Sequence, residues 1–131
     1  MTKPFIKLIV FAFVLTTIAS CSHRLTGVWD VKRFEISNPG EPGSGLSNIG
    51  TISFSNKGDG EKNINYTILG VHREDKSPFK WTWTDGKYIT IESDGSDFSK
   101  TWIIIENKKK SQKWKSTDGS NLVQTLELEK R

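Results

Sequence analysis

Beyond about residue 26, apolar and polar residues alternate with a period of two, and Gly-containing turn signals separate the alternating runs. The pattern predicts eight strands: 27–36, 49–55, 63–69, 79–84, 87–93, 99–106, a short one around Trp114, and 122–129. Within them Ile52 and Phe54 share a face, as do Ile64, Tyr66 and Ile68, and Phe79, Trp81 and Trp83. The first strand breaks parity. Trp29 and Val31 fall on one face and Phe34 and Ile36 on the other, so a bulge is predicted between the two pairs. Lys57-Gly58-Asp59-Gly60, Asp85-Gly86, Asp94-Gly95 and Asp118-Gly119 read as tight turns, and residues 108–111 as a basic one. Residues 38–47 read as a Pro/Gly/Ser-rich loop and 70–77 as a charged loop. Short links between consecutive strands imply an antiparallel meander. Closing it into an up-and-down barrel removes the exposed edges. Eight strands enclose an interior that side chains can fill or that can hold one small ligand.

Composition supports the all-β reading. From Cys21 onward the 131-residue chain has no Ala and no Met, yet it holds all five Trp and all eleven Gly. A helix bundle without those two helix formers is excluded, and an α/β enzyme is disfavoured. A disulfide scaffold is excluded too, because Cys21 is the only cysteine.

The first twenty residues read as an address. Lys3 and Lys7 form a positive start, LIVFAFVL at 8–15 is the apolar core, and small residues follow. That core is too short to span a bilayer, which takes about 20 residues. Ile18-Ala19-Ser20-Cys21 resembles a bacterial lipobox, cleaved between Ser20 and Cys21, with Cys21 lipidated. Two or more acyl chains anchor a protein stably where one does not. The expected organisation is a signal peptide at 1–20, a lipidated tether at 21–25 and one barrel domain at 26–131. Loss of Lys3 and Lys7 leaves 17 basic and 15 acidic residues, so the formal +4 of the whole chain becomes +2. Ser22, in place of an acidic residue after the cysteine, is compatible with outer-membrane sorting. The expected location is therefore the envelope of a Gram-negative bacterium.

Leu25-Thr26-Gly27-Val28-Trp29 resembles the Gly-x-Trp signature of lipocalins. An aromatic strand ending at Gly60, a Trp strand ending in the Asp85-Gly86 turn, and a closing leucine strand through Leu126 and Leu128 follow in order. Together they resemble the small bacterial lipocalin-like lipoproteins over residues 27–131. The resemblance implies an eight-stranded barrel with Gly27 and Trp29 at its base, and binding of a small apolar molecule. The chain departs from the family in showing no C-terminal helix and no basic residue assigned to stack on Trp29.

Catalysis finds little support. His23 and His72 have no nucleophile or second ligand at motif spacing, and Asp94-Gly95-Ser96-Asp97 reads as a capped turn. No catalytic, cofactor or metal site is assigned. The candidate ligand-pocket residues are Phe54, Tyr66, Phe79, Trp81, Trp83, Trp102 and Trp114, with the Tyr66 hydroxyl as a polar handle. The same rings could instead fill the interior. Lys108, Lys109, Lys110, Lys113 and Lys115 read as a solvated hairpin beside Ile103–Ile105 or as a contact for anionic lipid. Nucleic acid is disfavoured as a partner of an exported protein. The expectation is a membrane-anchored, non-enzymatic protein that binds a small apolar or amphipathic ligand. The alternative is a solid-core envelope module acting through its loops.

Overall fold

Nine strands and no helix make up the computed structural model, which describes residues 23–38, 43–68, 70–117 and 122–131. The predicted signal segment 1–20 with its predicted junction at Ser20 and Cys21, Ser22, residues 39–42 of the predicted loop, Leu69, and residues 118–121 with the predicted Asp118-Gly119 turn lie outside the described residues. The strands are β1 (Gly27–Ser37), β2 (Ser44–Phe54), β3 (Asp59–Ile68), β4 (Val71–Asp75), β5 (Pro78–Thr84), β6 (Tyr88–Glu92), β7 (Lys100–Asn107), β8 (Ser111–Thr117) and β9 (Val123–Lys130).

They form one antiparallel sheet in the order β2-β1-β9-β8-β7-β6-β5-β3-β4, and a β2–β3 ladder closes it. On the side of β3 away from β2, β5 pairs with Asp59–Glu61 and β4 with Ile64–Ile68. The two short strands therefore share one position around the wall, interrupted at Lys76 and Ser77. The result is the expected eight-position antiparallel barrel. Closure satisfies the ladder hydrogen bonds that an open meander would leave free.

Two expectations are corrected. The charged loop predicted at 70–77 contains β4, and the loop predicted at 38–47 already carries β2 from Ser44. Val71–His72–Arg73–Glu74 are all exposed, so β4 buries no alternating face and leaves no periodic trace. The predicted bulge is present. The register of β1 against both β2 and β9 shifts between Val31 and Arg33. Trp29, Val31 and Phe34 are thereby all turned inward and fully buried.

Two glycines are dictated by close approach. A Cβ at Gly60 would lie 2.3 Å from Cζ of Phe79 and from Ser53 O, so the absent side chain makes room for that ring. Gly50 has φ +143°, and its Cβ would meet Asn63 O at 2.0 Å.

The turns alternate between two rims. The N-terminal rim carries residues 23–26, the turns at 55–58, 85–87 and 108–110, and the chain's last residues. The opposite rim carries the ends of β1, β3 and β8 and the turn at 93–99.

Candidate functional site

The inward positions are dominated by aromatic rings, and these touch one another. Tyr66 meets Phe34 at 5.9 Å between centroids, and Phe34 meets Phe98 at 5.1 Å. Phe98 stacks on Trp102 at 6.4 Å, Trp102 lies 6.4 Å from Trp114, and Trp114 lies 6.1 Å from Phe54. Phe54 then packs edge-on against Phe79 at 5.3 Å and Trp81 at 5.6 Å. These separations are those of favourable edge-to-face and offset pairs. The interior is thus crossed by a continuous chain of rings from one rim to the other. Ile52, Ile64, Ile89, Ile91 and Leu126 pack around it with no exposed surface to speak of. The buried indoles are satisfied: Trp102 Nε1 donates to Phe98 O at 3.1 Å, and Trp114 Nε1 to Gln112 Oε1 at 3.1 Å.

The seven rings singled out from sequence are distributed unevenly. Phe54, Tyr66, Phe79, Trp102 and Trp114 are buried in the core, whereas Trp81 and Trp83 are half-buried. Both of the latter meet the His23 ring, at 5.1 and 4.8 Å. Trp81 Nε1 also donates to Asp59 O at 3.0 Å. These two therefore belong to the N-terminal rim.

That rim is closed by the chain itself. Leu25 is fully buried, and its carbonyl accepts the indole N–H of Trp29 at 2.8 Å. The Leu25 N–H in turn donates to Nδ1 of His23 at 3.0 Å. Burial, and then the charge of Arg24, hold the His23 pKa below its ordinary value and keep that nitrogen an acceptor. Arg24 donates to Asn107 O at 3.0 Å, which ties the segment to the far side of the rim. Lys130 Nζ stands 5.6 Å over the Trp29 ring and donates to Arg24 O at 3.2 Å. A basic residue does therefore stack on Trp29, contrary to the sequence reading. Gly27 lies at the start of β1 beside it, with φ +128°.

At the opposite rim lies a polar cluster that the sequence reading missed. Lys62 sits on the inward face of β3 between Gly60 and Ile64, and its side chain has no exposed surface. Its ammonium donates to Ser93 Oγ and Ser96 Oγ, both at 2.8 Å, and pairs with Asp75 Oδ2 at 3.1 Å. All three of its protons are thus used. The Asp75 carboxylate also accepts the hydroxyls of Ser96 at 2.5 Å and Ser77 at 2.7 Å. Burial lowers the Lys62 pKa against the opposing pull of Asp75. Burial acts to raise that of Asp75, but the hydroxyls of Ser96 and Ser77 and the ammonium outweigh it, and the net direction is down. The cluster spans the break between β4 and β5 and fastens the 93–99 turn over it. Extending period two backward from Ile64 would have placed Lys62 inside.

Beside this cluster Tyr66 donates to Asp97 Oδ2 at 2.7 Å, and Arg73 lies 3.6 Å from the same oxygen. Burial, then the Asp97 carboxylate, raise the Tyr66 pKa and keep the phenol protonated. The hydroxyl handle is therefore already engaged within the protein. Above it opens a recess of about 440 Å³, lined by Tyr66, Asp75, Asp97 and the polar residues of β4. His72 is exposed in this wall, with Nδ1 at 3.2 Å from Thr67 Oγ1. Among the described residues no three His, Cys, Asp or Glu gather as a metal site.

No family model matches the chain, and no curated protein matches it. Among solved structures it is similar to a deswapped triple mutant of bovine odorant binding protein. The likeness has a TM-score of 0.46 at 14% identity and covers 83% of this chain and 75% of that one.

Proposed function

We propose that the protein is a lipocalin-like envelope module, anchored through lipidated Cys21, whose barrel is solid and whose contacts are made at its surface. The observation that carries this reading is the ring chain from Tyr66 through Trp102 and Trp114 to Trp81, which occupies the space a carrier would keep for its ligand. The proposed anchor, Cys21, precedes His23 by two residues in sequence, and His23 lies at the rim closed by Leu25.

A second reading is favoured by the recess over Tyr66 and Asp97. Its 440 Å³ lies within the roughly 300–1,000 Å³ typical of small-molecule sites. Its walls are charged, so it suits an amphipathic or zwitterionic molecule better than an apolar one.

Native mass spectrometry of the protein extracted from its own membranes tests both readings. The solid-module reading expects a diacylglyceryl-modified Cys21 and no retained small molecule. A stoichiometric apolar passenger overturns it in favour of a carrier, and an unmodified thiol overturns the anchor.

A further inference from the structure

Fold and charge converge at the N-terminal rim. The turns there expose the Lys108–Lys110 run, Lys57 and Lys87, and the chain ends expose Arg24 and Arg131. These groups come from five separate parts of the sequence, and only barrel closure brings them to one end. The links are short. Lys87 O accepts from Ile104 N at 2.9 Å, Lys110 O accepts from Lys130 N at 2.9 Å, and Arg24 reaches Asn107 O at 3.0 Å.

The carboxylates nearby are fewer and partly engaged. Glu106 pairs with Lys108 at 3.1 Å and Asp30 with Arg131 at 3.0 Å, Glu129 lines a recess with Lys110 and lies 3.9 Å from Lys32, and Asp59 and Asp85 are exposed. The opposite rim instead exposes Glu74, Asp94 and Asp97 beside Arg73 and Lys76. The barrel is therefore polarised from end to end.

The same end carries unburied apolar side chains. Tyr88 is 44% exposed and lies directly across the ladder from Ile103, which is 50% exposed; Ile105, nearer the basic turn, is 54% exposed. An aromatic and two isoleucines beside a lysine turn match a bilayer interface, where apolar side chains enter the headgroup boundary and cations meet phosphates.

We infer that the N-terminal rim is a docking face for an anionic phospholipid bilayer, with Lys108–Lys110 on the headgroups and Tyr88 and Ile105 at the interface. This goes beyond the anchor proposed above and does not depend on acylation of Cys21. It sets which end of the barrel faces the membrane and leaves the polar recess pointing away from it.

Every strand and every buried side chain named above lies between Leu25 and Lys130, so segment 23–131 closes its own barrel and serves for the test without leader or acyl chains. Flotation with phosphatidylcholine vesicles is compared with flotation when phosphatidylglycerol is added. Binding is expected only with the anionic lipid, and salt should release it. Lys108→Gln, Lys109→Gln and Lys110→Gln together should weaken it about a hundredfold, at about fivefold per lysine. Tyr88→Ser with Ile105→Ser should weaken it at every salt concentration, and Lys76→Gln at the opposite rim should leave it unchanged. Equal binding to both vesicle types, an unaffected triple variant, or an equal loss in Lys76→Gln overturns the inference. Retention on polyglutamate without vesicle binding overturns it in favour of an acidic polypeptide partner.

Discussion

Lys62 and Asp75 form an ion pair of 3.1 Å, with the lysine wholly inside the barrel, at the point where the wall changes from β4 to β5. A buried charge is tolerated only when paired and hydrogen-bonded, and here three serine hydroxyls complete both partners. The pair substitutes for ladder continuity at Lys76 and Ser77 by tying β3, β4 and the 93–99 turn together.

Lys62→Met should therefore destabilise the fold by about 3 kcal/mol, and Asp75→Asn by a similar amount, because each leaves a buried charge without its counter-ion. The double variant should cost clearly less than the sum, with a coupling of about 1–3 kcal/mol. Denaturant unfolding of the four proteins gives the cycle. Strict additivity would show that the two groups act independently.

Acid should reveal two separate windows. His23 has a lowered pKa in the folded state, so the unfolded chain binds the proton first and stability falls as pH drops from about 6.5. Asp75 is also lowered, and its contribution is retained above its unfolded value near 3.8 and lost as pH falls through the folded one. Thermal melts across pH should show a shallow loss that His23→Phe removes and a steeper acid loss that Asp75→Asn removes. A His23→Phe variant with an unchanged profile between pH 7 and 5 would contradict the first assignment.

Much of the fold is legible in the alternation, because most strands bury one face and expose the other. The Trp29/Val31 to Phe34 parity break located the bulge, since only a slip in register lets all three side chains reach the core. β4 was illegible for the converse reason: its backbone is fully paired with β3 but the side chains of Val71, His72, Arg73 and Glu74 are exposed. Lys62 escaped because a lysine after a Gly-Asp-Gly turn looks solvated, and its burial is decided by serines some thirty residues away. Lys130 stacks on Trp29 through ladder closure between the two ends of the chain, which local sequence does not encode.

Glycine substitutions should separate close approach from mere turn geometry. Gly60→Ala must displace Phe79 or the Ser53 carbonyl and should cost about 1–3 kcal/mol. Gly95 has φ +73° with open space around it, so Gly95→Ala should cost only about 1–2 kcal/mol of backbone strain and leave the core signature intact. Near-ultraviolet circular dichroism, which reports the packed tryptophans, should change in the first variant and not in the second.

The base of the barrel should depend on Trp29 more than on its cap. Trp29→Ala should cost about 3–5 kcal/mol through the cavity it leaves. Lys130→Gln should cost about 0.5–2 kcal/mol by removing the cation from the ring face. Equal losses in unfolding midpoint would mean that the cation, not the ring, holds the N-terminal segment in place.

The claim on which the functional account rests is that rings fill the barrel. Titrating the folded protein with a fatty-acid-sized fluorescent probe, while following tryptophan emission, tests it directly. A filled barrel predicts no saturable change in emission and no probe enhancement beyond weak surface adsorption. Stoichiometric, saturable binding that quenches tryptophan emission, and is lost in Trp102→Ala or Trp114→Ala, would contradict it.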